Sequence, residues 1–184
     1  MRSVAAAGVR HDAGMTRFVA LLGGINVGGH RVTMDRLRTE IATLGYADVT
    51  TFIASGNVLF TGPARGDHEG RIAAHLTEVL GWPAPTFLRT AAEVIAATDL
   101  RPFGPTPEGC THMVAFCRAS PDATLLAQSC TARDRFEVHG REVHWLIAGK
   151  LTDSPITLPK LVKLIGPNTT RNITSLERLA ILLR

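Results

Sequence analysis

The order of secondary-structure signals in residues 15–90 constrains this chain more than any other feature. Residues 16–22 (T-R-F-V-A-L-L) form a β-branched, aromatic and aliphatic run that ends at glycine, which predicts a buried strand. A glycine-rich loop follows over 23–31. Thr33 then offers an N-cap oxygen, and Met34, Leu37, Ile41 and Leu44 recur at helical spacing before Gly45 stops the run. Two short strands at 49–54 and 58–60 flank Ser55-Gly56-Asn57, whose Gly and Asn accept the positive φ of a tight turn. Ile72, Leu76, Val79 and Leu80 mark a second amphipathic helix, stopped by Gly81 and Pro83, and residues 86–89 read as a fourth strand. The resulting β-α-β-β-α-β is the split βαβ order of a ferredoxin-like sandwich.

The order then begins again. Residues 90–98 predict a short helix with Thr90 as cap and Glu93 at the capping-box position. Three prolines and two glycines in residues 101–109 mark a linker. Beyond it come a strand at 112–117, a helix at 121–128 with Pro121 in its first turn, and strands at 135–139 and 142–147 joined at Gly140-Arg141. A helix at 159–165 is closed by Gly166 and Pro167. A loop leads to a last helix at 175–183, with Thr174 or Ser175 as cap and Leu176, Leu179, Ala180 and Leu183 on one face. The repetition is topological, not one of sequence. The expected class is α+β, with two ferredoxin-like subdomains packed together and a C-terminal helix. The expected divisions are a disordered extension at 1–14, a first subdomain at 15–98, a linker at 99–110 and a second subdomain with the last helix at 111–184.

Composition removes several classes of function. With 184 residues, 45% hydrophobic and 20% charged, the chain is too apolar for a disordered protein and long enough for a core. Of its 20 basic residues 17 are arginine, a skew that fits GC-rich coding and is not by itself a nucleic-acid signal. Residues 151–184 carry Lys160, Lys163, Arg171, Arg178 and Arg184 against Asp153 and Glu177, an excess that reads as a solvated face. Aromatics at 5% are sparse for a single-strand binder. Cys110, Cys117 and Cys130 form no C-x-x-C, so neither a disulfide framework nor a zinc ribbon is expected; a reducing, cytoplasmic setting is. No apolar stretch approaches membrane-spanning length. The histidines form no H-x-x-x-H pair, so no metal and no cofactor is expected. His139 and His144 flank a hairpin and read as a satisfied surface pair.

Three segments together resemble a known family: A-L-L-G-G-I-N-V-G-G at 20–29, T-F-I-A-S-G-N-V-L-F at 51–60, and T-T-R-N-I-T-S-L at 169–176. The chain is similar over residues 15–184 to the bacterial domain-of-unknown-function family 1697. That resemblance implies an α+β fold of two ferredoxin-like halves and implies no reaction. The chain departs from the family at Gly23, where Arg is usual, and at Ile173, where Trp is usual.

The same segments supply the candidate site. Glycines in the 23–29 loop let backbone N–H groups approach an anion, and a helix start adds positive potential. The loop matches neither the P-loop nor the dinucleotide fingerprint, and a sharp β-to-α connection is the rival reading. Ser55 lacks the nucleophile-elbow context, and a plain hairpin is its rival. Arg171 suits bidentate capture of a carboxylate or phosphate, while a structural Arg buried between the halves is its rival. The expectation is that Gly24, Asn26, Gly28, Gly29, Ser55, Asn57, Arg171 and Asn172 converge on an anionic small molecule, a nucleotide or phosphorylated metabolite. No catalytic residue is assigned. One alternative is nucleic-acid binding on a ferredoxin-like sheet, against which the strand Asn57-Val58-Leu59-Phe60-Thr61 lacks the basic-Gly-aromatic pattern. Another is an interaction module without chemistry, including a homodimer through an open sheet edge.

Overall fold

A computed structural model describes residues 14–26 and 28–184. The elements run β1 (Met15–Leu22), α1 (Met34–Ala42), β2 (Ala47–Phe52), β3 (Asn57–Pro63), α2 (His68–Leu80), β4 (Thr86–Thr90) and α3 (Ala91–Asp99). They continue with β5 (Cys110–Cys117), α4 (Ala123–Gln128), β6 (Asp134–His139), β7 (Glu142–Ala148), α5 (Leu158–Ile165), β8 (Asn168–Asn172) and α6 (Ile173–Leu183). Two antiparallel four-stranded sheets result, ordered β2-β3-β1-β4 and β6-β7-β5-β8. The second sheet repeats the first strand for strand, and each terminal strand runs directly into a helix.

The strand pleat explains the layering, because alternate side chains leave opposite faces. Phe18, Ala20 and Leu22 of β1 join α1 and α2 residues such as Leu37, Ile41, Ile72 and Leu76 in one core. Val19 and Leu21 point the other way, into a central core with Leu59, Phe87, Val114, Phe116, Val94 and Leu176. Met113, Ala115, Val143 and Trp145 of the second sheet pack on α4 and α5 in a third core. Each sheet is thus covered by its own helices outside and by the central core inside, where α3 packs on α6.

Local signals mostly set the helices as expected. Thr33 Oγ1 accepts from Arg36 N, and Thr90 with Glu93 forms the full capping box. Four expectations change. Helix α4 is capped by Asp122, so Pro121 precedes it. Helix α6 is capped by Asn172, not Thr174 or Ser175. The β2–β3 turn takes its positive φ at Ile53 and Gly56, while Asn57 already belongs to β3. The largest change is β8, a strand where a loop is expected. Its sequence N-T-T-R-N buries Thr169 and Arg171, not aliphatic residues, so hydrophobic alternation is silent there. Of the expected N-terminal extension, residues 1–13 lie outside the described residues. Gly14 instead borders the sheet, its carbonyl accepting from Ala64 N at 2.9 Å. Among the described residues no helix is long and apolar enough to cross a membrane.

Candidate functional site

Strand β8 lies beside β5, and its fourth residue, Arg171, reaches across to the first sheet. Its Nε donates to Asn57 Oδ1 at 2.7 Å. Nη1 donates to Thr169 Oγ1 at 2.7 Å and to the Thr170 carbonyl at 2.9 Å. Nη2 donates to the carbonyls of Leu22 at 2.9 Å and Gly56 at 3.4 Å. All five N–H donors of the guanidinium are therefore committed to the protein. Burial lowers its pKa to about 10, so it stays charged at neutral pH. Among the described residues no carboxylate pairs with it.

Over this buried cation opens a cleft of about 490 Å³. Leu22, Ile25, Leu158 and Val162 give it apolar walls, while Ser55, Asn168, Thr169 and Thr170 give it polar ones. Gly24, Asn26, Ser55 and Arg171, from three distant segments, line this one cleft, and Asn57 stands behind it on Arg171. The remaining candidates do not line it. Gly28 and Gly29 are exposed at φ +59° and +90° and serve the turn of the loop, and Val27 lies outside the described residues. Asn172 spends its side chain on Thr174 N as the α6 cap.

Most polar candidates brace the scaffold. Asn26 holds φ +56°, accepts from Val32 N and donates to the Ala54 carbonyl, tying the 23–32 loop to the β2–β3 turn. Asn57 is buried and donates to the Phe52 carbonyl and Ser55 Oγ. A Cβ on Gly56 would stand 3.1 Å from Ile25 and Leu22 side-chain atoms, so the close approach needs glycine as well as the positive φ. The α1 N-terminus is closed by Thr33 and carries Asp35 in its first turn, so it adds little attraction for an anion. Ile173 sits in the central core, remote from a ligand-stacking role. The expected site did not include Leu158, Val162, Asn168, Thr169 and Thr170, although Thr169 and Thr170 belong to the 169–176 motif. For Leu158 and Val162 the legible signal is two apolar residues on the exposed face of α5.

The fold builds a second version of this arrangement. Arg89, the fourth residue of β4, occupies the place of Arg171 in β8. Its Nη1 donates to the Leu88 carbonyl, and its Nη2 donates to the carbonyls of Cys117 and Arg141. Cys117 ends β5 as Leu22 ends β1, and Arg141 sits in the hairpin turn as Gly56 does. Its Nε, however, donates to the Glu142 carboxylate at 2.5 Å, where Arg171 meets the neutral Asn57. The crevice beside Arg89 is lined by Asp67, Glu69, Glu93 and Arg141, and further ion pairs Arg118–Glu69 and Arg141–Glu93 stand there.

The sequence profile of a family described as "protein of unknown function (DUF1697)" matches residues 15–144. No curated protein matches the chain. A solved structure of a conserved bacterial protein from Streptococcus pneumoniae is similar in fold, with a TM-score of 0.65 at 20% identity. The match covers 93% of this chain and 100% of that one.

Proposed function

The chain belongs to the DUF1697 family of proteins of unknown function, and from that premise we propose that the Arg171 cleft binds a small anion carrying an apolar portion. A nucleotide or phosphorylated metabolite is the class in mind. The observation that carries the reading is a buried guanidinium without a carboxylate partner beneath an amphipathic cleft. Its volume falls in the usual range of small-molecule sites. Because its donors are already committed, Arg171 attracts an anion through its field, which weak screening makes strong at a buried site. Hydroxyl groups of Ser55 and Thr170 then supply direct contacts, and Leu158 and Val162 cover the apolar part. In the same reading the two halves are ferredoxin-like, supported by the repeated strand order, and the protein works in the cytoplasm.

Nucleic acid is the weaker alternative. A ferredoxin-like domain that binds RNA stacks bases on a bare sheet face. Here Val19, Leu21 and Leu59 on the inner face of the first sheet are consumed by the central core.

Calorimetry with a panel of nucleotides and phosphorylated metabolites tests the proposal. We expect at least one phosphorylated ligand to bind, its neutral analogue to bind at least ~10-fold less tightly, and Leu158→Glu to weaken binding similarly by adding a like charge to the wall. Leu158 is exposed, so that variant keeps the fold. A panel without binders, or Leu158→Glu binding like wild type, overturns the reading.

A further inference from the structure

The lining of the Arg171 cleft limits how much charge its occupant can bring. Among the described residues that line it, Arg171 alone is charged. Lys160 and Lys163 belong to α5 but are exposed and absent from the lining, so water and salt screen their fields. The two halves each add a neutral hydroxyl to the walls, Ser55 from the first and Thr170 from the second. Ser55 Oγ already accepts from Asn57 Nδ2 at 3.0 Å, which leaves its own O–H for donation.

A cleft with one counter-charge favours one charge number. The cost of taking an ion out of water grows with the square of its charge, whereas its attraction to a single guanidinium grows only in proportion. A monoanion on Arg171 is therefore matched. A dianion carries one charge that nothing in the lining answers, and a neutral molecule leaves the guanidinium without a counter-charge. Resting on the anion reading above, we propose that the cleft selects, within the phosphate class, a singly charged diester with an apolar substituent over a doubly charged monoester. The two unesterified oxygens of a diester suit the two hydroxyls, and Leu158 and Val162 cover its apolar group.

The second half holds the contrasting case. In the crevice beside Arg89, Asp67, Glu69 and Glu93 face Arg89 and Arg141, and Arg89–Glu142 and Arg141–Glu93 are ion pairs. That balance leaves no excess positive charge for an anion of any valence.

The test is an NMR titration of the full chain at about pH 8 with phenyl phosphate, methyl phenyl phosphate and dimethyl phenyl phosphate. A phosphate monoester has its second pKa near about 6, so successive methylation takes the probe from two negative charges through one to none at nearly constant shape. The diester should bind at least ~5-fold tighter than phenyl phosphate and at least ~10-fold tighter than the triester. Val162→Lys adds a second positive charge to the wall and should move the preference at least ~5-fold toward phenyl phosphate. Val162 is exposed, so this variant keeps the fold, which circular dichroism checks. Tighter binding of phenyl phosphate than of the diester by wild type, or an unchanged ratio in Val162→Lys, overturns the charge selection and leaves the anion reading standing. Equal binding of diester and triester overturns both. Absence of binding by all three probes overturns the selection, and the nucleotide and metabolite panel then decides the anion reading separately.

Discussion

Arg89 and Arg171 occupy one position of a repeated topology and differ chiefly in the partner of Nε. Both are buried, both spend their terminal nitrogens on a strand-end carbonyl and a hairpin-turn carbonyl of the opposite sheet, and both precede a helix cap. Arg89 has Glu142 on its Nε, and Arg171 has Asn57. The comparison separates two jobs that a buried arginine can do. Holding the sheets together needs only carbonyl acceptors, and both sites have them. Neutralising the charge needs an acid, and only one site has it. The half without the acid also has the amphipathic cleft.

The largest expected effect comes from breaking the paired site. Arg89→Met strands a mostly buried Glu142 carboxylate and should cost about 3–5 kcal/mol in urea unfolding. The double variant Arg89→Met/Glu142→Leu removes both charges and should recover much of that loss. Arg171→Met strands acceptors but no opposite charge, so its loss should be the smaller of the two. Equal losses for the two single variants would erase the proposed difference between the sites.

Next in size is a pH effect confined to the second half. Burial, then His112 and His139, together lower the His144 pKa to about 4, and burial also lowers that of His112, as does Arg101 against an opposing pull from Glu177. Both rings are neutral in the folded state and more basic in the unfolded chain. Their contribution is full above the unfolded value of about 6.5 and is lost as pH falls from there toward 4. For His144 the limit is about 3 kcal/mol. Glu93 and Glu142 line one cavity with His139 and His144 and oppose the effect. Leu59 occupies the matching position in the first half, so His144→Leu should flatten the stability profile between pH 4 and 6.5. An unchanged profile would show that the pair does not govern acid stability.

A smaller effect sharpens the comparison directly. Asn57→Asp gives Arg171 the acid that Arg89 already has. The carboxylate loses the donor bonds to Phe52 and Ser55 but gains a charge pair, so the fold should survive. Anion affinity should fall at least ~10-fold, about 1.4 kcal/mol. Anion binding unchanged by Asn57→Asp would show that the bare charge does not attract the ligand.

The sequence made these sites unequally legible. The first half was readable because its strands alternate apolar residues and its turns carry glycine. Asn26, Ser55, Asn57 and Arg171 stood out as motif residues, but that their loops meet is set by tertiary packing, which no spacing encodes. Strand β8 was not, because it buries a hydroxyl and a cation where periodicity looks for aliphatic side chains. The clue was topological: T-F-L-R-T and N-T-T-R-N each put arginine fourth, one residue before a helix cap. That all five Arg171 donors turn inward could not be read, since their acceptors are mostly backbone carbonyls, which every sequence contains. The His139–His144 pair was legible as facing residues, but its burial depends on α3, which reaches it only through tertiary packing.

The smallest effect separates the two helices that follow these strands. Helix α3 begins with a reciprocal cap: Thr90 Oγ1 accepts from Glu93 N, and Glu93 Oε2 accepts from Thr90 N at 2.7 Å. Helix α6 has the single Asn172 bond to Thr174 N. Thr90 and Arg141 donate to Glu93 and outweigh the raising effect of burial, so its pKa lies below the usual carboxylate value. Its contribution is therefore present at neutral pH and is lost as pH falls through the carboxylate range. Thr90→Ala removes one bond of the box and leaves Glu93 less well held, so at pH 7 it should cost about 1–2 kcal/mol, against about 1 kcal/mol for Asn172→Ala. As pH falls through the carboxylate range and Glu93 takes up its proton, the two losses should converge. Helices α3 and α6 pack on each other in the central core, so both losses appear in the same cooperative unfolding transition. A larger loss from Asn172→Ala at pH 7 would mean that the Arg171 network, one residue away, extends through the cap and couples helix α6 to the cleft.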